Sequence, residues 1–120
     1  MLSTVSPHKA LEFFEARLEF QMGPLDLKRA IDNREVNVID VRSEEDYQKG
    51  HIPCAFNLPY ERWDSFEHLT HDKPNVIYCY STTCFLATRA CSRFAEADYP
   101  VMELFGGFEE WENHKLPIEK

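Results

Sequence analysis

No apolar run in the chain approaches the ~20 residues that a bilayer-spanning helix needs, so nothing in it reads as a transmembrane segment. The first ten residues lack a basic stretch leading into an apolar one. The expectation is therefore a chain without a secretory signal, at work in the cytoplasm. Basic residues are in deficit: 13 Lys and Arg stand against 21 Asp and Glu, a net charge of −8. Such a surface repels phosphate backbones and anionic lipid, which argues against nucleic-acid and membrane partners. The four cysteines form no C-x2-C pair and no His lies at zinc-ligand spacing from one, so no metal is expected. In a reducing compartment they are free thiols. No internal repeat, low-complexity tract or linker interrupts the 120 residues, of which 43% are hydrophobic, a composition that suits one globular domain.

What is present is an alternation of helical and strand patterns. Ser6 followed by Pro7 reads as an N-cap and first helical residue, opening a helix to about Gln21 with Leu11, Phe14 and Leu18 on one stripe. Phe13 and Phe20 lie off that stripe, so the helix has more aromatic surface than one face requires. Gly23 stops it, and Pro24 opens a second short helix ending at the turn signal Asp32-Asn33. Val36–Val41 is a β-branched run of the buried parallel type. Ser43 caps one helical turn that ends at Gly50, and Glu61–Phe66 forms another turn after the prolines. Asn75–Cys79 is a second strand, Leu86, Ala90, Phe94 and Ala97 stripe a helix, and Val101–Leu104 is a third strand. Gly106-Gly107 turns into a last helix, Phe108–His114, carrying Trp111. Strands alternating with helices predict an α/β fold, a small parallel sheet flanked by helices on both faces.

In open α/β sheets, ligands gather where strands end and helices begin. One strand here ends in Asp40-Val41-Arg42; the other ends in Cys79, followed by Tyr80, Ser81, Thr82, Thr83 and Cys84 before a helix. Loop amides and a helix N-terminus make a partial positive field. That field predicts a depressed Cys79 pKa, a thiolate ready to act as nucleophile. The small hydroxyl residues leave room for a substrate and supply hydrogen bonds. Cys84 has two readings, a second reactive thiol or a small residue in the first helical turn, and the spacing does not choose. Cys54 and Cys91 read as packing residues.

Three blocks occur in order over residues 24–118. Asp40-Val41-Arg42, Glu45, Tyr47, Gly50-His51-Ile52-Pro53, Ala55, Asn57 and Pro59 form the first. Val76-Ile77-Tyr78-Cys79 is the second, and Phe105-Gly106-Gly107-Phe108 with Trp111 the third. Together they resemble the signature of the rhodanese-like family. The resemblance implies a rhodanese-like fold over residues 24–120, with residues 1–23 as an N-terminal helical extension. It also implies a sulfurtransferase in which Cys79 accepts a sulfane sulfur as a persulfide and passes it on, with no cofactor beyond that covalent intermediate. The donor is then a small sulfur compound or a persulfide-carrying protein, and the acceptor a thiol or another protein.

The chain departs from the family pattern in its loop, commonly Cys-x-x-Gly-x-Arg, which here lacks both the glycine and the basic residue that would hold thiosulfate. Cys54 also stands where a glycine is expected after Pro53. The sixth residue after Cys79 is Phe85, so the arginine clamp of a cysteine phosphatase is missing. Asp40 and Arg42 read as loop braces, His51 as part of a structural turn, Trp111 and Phe108 as core. His68, His71 and His114 read as surface groups, and Arg89, on the helix, as outside the loop. The aromatic extension either packs across the back of the domain or makes a homodimer contact. Competing readings are a non-catalytic binding or regulatory module of the same fold, and a thiol redox switch using Cys79 and Cys84.

Overall fold

A computed structural model describes residues 5–120. Residues 1–4 of the N-terminal extension, and the part of the leader reading that falls on them, lie outside the described residues. Helix α1 is Pro7–Phe20, and the Ser6 hydroxyl accepts the Lys9 amide as its cap. Then come β1 (Gln21–Met22), α2 (Pro24–Asp32), β2 (Asn37–Asp40), α3 (Glu44–Lys49) and β3 (Phe56–Asn57). A 3₁₀ turn at Tyr60–Ser65 leads to β4 (Asn75–Tyr78), α4 (Leu86–Glu96), β5 (Val101–Leu104) and α5 (Gly107–Asn113). The five strands pair in parallel, in the order β1-β5-β4-β2-β3.

The parallel α/β architecture expected from the alternation is present, with two additions. Strands β1 and β3 are two residues each and carry no β-branched run, so nothing in the sequence pattern announces them. Gln21, expected as the end of α1, belongs to β1, and its neighbour Met22 aligns with Leu104 of β5.

Successive residues of a strand point to opposite faces, and the core divides accordingly. Val38, Val76 and Tyr78 pack with Leu27 of α2 and Phe108 and Trp111 of α5. Ile39, Ile77 and Cys79 pack on the other face, with Trp63 of the 3₁₀ turn and Ala87, Ala90 and Phe94 of α4. At the amino ends of the strands, buried Asn75 is fully satisfied: its amide nitrogen donates to the Thr70 and Pro100 carbonyls, and its oxygen accepts from Asn37 and Thr70.

Helix α1 stays outside the core. None of its residues is buried; Leu11, Phe13, Phe14 and Phe20 are more than half exposed, and Leu18 is 83% exposed. It lies against β1 and β5 at the sheet edge rather than across the back of the domain.

Cys54, where the family resemblance called for glycine, has φ +70° and an exposed side chain. The left-handed region costs an L-residue about 1–2 kcal/mol, partly offset because glycine loses more chain entropy on folding. Cys54→Gly should therefore stabilise the domain by about 0.5–1 kcal/mol. The test is a rise in the urea midpoint at constant slope; an unchanged or lower midpoint contradicts the strain assigned here.

Candidate active site: a buried thiol under a helix-walled cavity

The loop 79–85 joins β4 to α4 and is shaped from both sides. From below, the N-terminus of α5 presses on it: the Phe108 amide donates to the Cys79 carbonyl and the Glu109 amide to the Tyr80 carbonyl, each at 2.9 Å. The glycine pair makes this approach achievable. Gly107 has φ +62°, and a Cβ there would come within 2.8 Å of the Cys79 carbonyl oxygen and 2.9 Å of the Ser81 nitrogen. From the side, the Tyr80 hydroxyl donates to Asp46 at 2.6 Å, tying the loop to α3.

Asp40 and Arg42 form an ion pair beside the neighbouring loop. Both are buried, and the guanidinium meets the carboxylate through Nε at 3.1 Å and Nη2 at 2.8 Å. Arg42 also donates to the Gly50 carbonyl at 2.6 Å and lies 4.1 Å from the centre of the Phe108 ring. The Tyr78 hydroxyl donates to Asp40 at 2.6 Å and accepts the Ile52 amide. Burial, then the Asp40 charge, holds that phenol well above its ordinary pKa. The pair faces α5, away from the Cys79 side chain. His51 is structural too, its ring stacked on Tyr47 and Nδ1 2.8 Å from the Tyr47 carbonyl.

The thiols correct the electrostatic expectation. Cys79 is only 2% exposed, and burial pushes its pKa up to about 11, with a hydrogen bond to the Cys84 side chain acting in the same direction. Backbone hydrogen bonds from Ala87 and Tyr80 pull it down, as the sequence suggested, but they do not prevail over desolvation. Cys84 behaves oppositely. Burial works to raise its pKa, yet the Cys79 hydrogen bond and the Leu86 and Tyr80 backbone groups outweigh it and leave the value lowered. Cys84 lies in the loop, two residues before α4, rather than in the first helical turn. Cys79 Sγ is 3.4 Å from the Cys84 carbonyl oxygen. Within the pair the value of Cys84 is thus lowered and that of Cys79 raised. Cys91 packs as expected, its thiol held by burial well above the ordinary range.

Above the thiols opens a cavity of about 660 Å³. Ser81, Thr82 and Cys84 of the loop line it, while Tyr80 and Thr83 do not. Phe13, Ala16 and Phe20 of α1 form one wall, facing Phe85, Met102 and Phe105. Sequence reasoning noted the aromatic excess of α1 but had no means of placing it over the loop. Among the described residues, no cluster of His, Cys, Asp and Glu is arranged to hold a metal ion, and no helix is long and apolar enough to cross a membrane.

The chain and its fold are similar to known proteins. The chain is 38% identical over 96 residues to the HTH-type transcriptional regulator Rv0324 of Mycobacterium tuberculosis, covering 79% of this chain but only 42% of the regulator. It is 27% identical over 96 residues to the thiosulfate sulfurtransferase GlpE of Coxiella burnetii, covering 78% of this chain and 88% of that protein. The crystal structure of the BH2092 protein from Bacillus halodurans superimposes with a TM-score of 0.83 at 30% identity, over 95% of this chain and 86% of that one. Residues 24–114 match the family model described as a rhodanese-like domain, and the chain belongs to that family.

Proposed function

We propose that the protein is a sulfurtransferase that carries sulfane sulfur as a persulfide on Cys79, with Cys84 as the group that exchanges the proton. The observation that carries this reading is the thiol pair under the cavity: Cys79 is buried with Sγ 3.4 Å from the Cys84 carbonyl oxygen, and both cysteines line the cavity. A nucleophile that is weak at its own pKa is activated by an adjacent base. The Cys79 thiol gives its proton to the Cys84 thiolate and attacks the sulfane sulfur of the donor. The donor's S–S bond breaks, its electron pair leaves on the residual thiolate, and that thiolate takes the proton back from Cys84. Nothing is oxidised or reduced overall. The persulfide carries its charge on the outer sulfur, one bond nearer the cavity than the buried Sγ, where desolvation is smaller.

The name of the Coxiella relative points to thiosulfate as donor. The loop of this chain offers no cation for that dianion, so an organic or protein persulfide suits it better. Exposure to inorganic polysulfide should add one sulfur to the intact mass, mapped to the Cys79 peptide and removed by a reductant. Cys79→Ser should gain none there. Equal gain in the variant would show that the sulfur resides on another thiol and would end this reading.

A further inference from the structure

The cavity above Cys79 is larger than thiosulfate or a short polysulfide requires: about 660 Å³, in the range of sites that bury a small organic ligand. Its walls are the Phe13 and Phe20 rings of α1, Phe85 of the loop, and Met102 and Phe105 of the β5 end. Arg17 and Glu103 are its charged lining residues, one of each sign. The Arg17 Nε donates to Gln21 at 3.1 Å and its guanidinium lies over the Phe105 ring, while Gln21 donates in turn to Glu103 at 3.1 Å. The Thr88 hydroxyl also donates to Glu103. Arg17 is thus linked through Gln21 to a carboxylate, and among the described residues the charged side chains of the cavity sum to zero.

We infer that the sulfur compound handled at Cys79 is an organic persulfide, R–S–SH, whose R group is an alkyl or aryl chain lying in this cavity against α1. The inference rests on the sulfurtransferase reading and names its substrate class. In the step, Cys79 Sγ bonds to the outer sulfur of R–S–SH and the R–S–S bond breaks. The apolar thiol R–SH departs with the proton that Cys79 gave up through Cys84, and the new persulfide then releases the outer sulfur's proton to solvent, leaving its charge on that sulfur. A wall of apolar side chains favours the neutral persulfide over its anion, and the neutral form is the electrophile this step needs. The position of α1 fits the assignment. It contributes no buried residue to the domain core, yet it brings Phe13, Ala16 and Phe20 to the wall of the cavity that holds the nucleophile.

The test is a series of ethyl, butyl, hexyl and octyl persulfides released in situ. Initial sulfur gain at Cys79 is read by peptide mass, normalised to free cysteine, beside glutathione persulfide, thiosulfate and inorganic polysulfide. Each methylene buried in the cavity should raise the rate about fourfold until the cavity is full, with hexyl well ahead of glutathione persulfide and thiosulfate poorest. Ala16→Glu and Phe13→Ser, both at exposed positions of α1, should flatten the series. A flat series in the unaltered protein, with Cys79 still loaded by inorganic polysulfide, overturns the apolar substrate and leaves the sulfurtransferase standing. No sulfur at Cys79 from any donor overturns both.

Discussion

Replacing Asp40 with alanine is expected to cost about 3–5 kcal/mol of folding stability, a large share of the about 5–15 kcal/mol typical of a domain. The carboxylate is fully buried and receives Arg42 through two nitrogens as well as the Arg42 amide and the Tyr78 hydroxyl. Without it, a guanidinium that is 4% exposed keeps only the Gly50 carbonyl and the faces of Phe108, Tyr78 and Tyr80. Desolvating a charge is costly unless it is paired, so removing one partner is far worse than removing both. Urea unfolding of Asp40→Ala beside the double variant Asp40→Ala/Arg42→Met is the measurement. The double variant should recover most of the loss. A single-variant loss under about 1 kcal/mol, the size of an exposed pair, would show that the ion pair contributes little.

The second large effect is an order of reactivity. At neutral pH an alkylating reagent should modify Cys84 first and Cys79 last of the two. A thiol at about 11 in place of the ordinary 9.0 holds about a hundredth of the thiolate at neutral pH. Higher basicity returns about tenfold in intrinsic nucleophilicity, which leaves Cys79 about tenfold slower than an ordinary thiol before its 2% exposure slows it further. The sign with pH is fixed: Cys79 modification accelerates with each step upward until about pH 11, whereas Cys84 reaches its plateau below the ordinary thiol range. Peptide-resolved alkylation across a pH series decides the matter. A Cys79 midpoint at or below the free-thiol value, with Cys84 slower, would restore the field of loop amides as the dominant influence.

Those thiols also mark where sequence reasoning stopped. The strand carrying Cys79 was legible because Val76, Ile77 and Tyr78 are buried on both sheet faces and read as one apolar run. The caps were legible because Ser6 and Ser43 accept amides three residues on, a local interaction. The Asp40–Arg42 brace followed from charge and spacing. Desolvation of Cys79 was not legible: it depends on Ala87 and Ala90 of α4 and on Leu58 and Trp63 closing over one face, contacts set by topology rather than by neighbours in sequence. The cavity was hidden for the same reason. An aromatic helix reads alike whether it joins a core, a dimer or a pocket, and only the two-residue pairing of β1 with β5 places it over the loop. Strands that short leave no periodicity to detect.

That pairing has a consequence for synthesis. Gln21 and Glu103 are 82 residues apart, so the edge that docks α1 is completed only once β5 has been made. At about 5–20 residues per second, Leu11, Phe13, Phe14, Leu18 and Phe20 wait on the order of 4–16 s beside the ribosome with no sheet to lie against. Parallel sheets must close long loops before any contact rewards them, and here an exposed aromatic helix emerges well before the strand it docks on. The nascent chain therefore shows a chaperone this apolar helix throughout that interval, and the yield of folded protein in the cell should fall when elongation is slowed or holdase capacity is short.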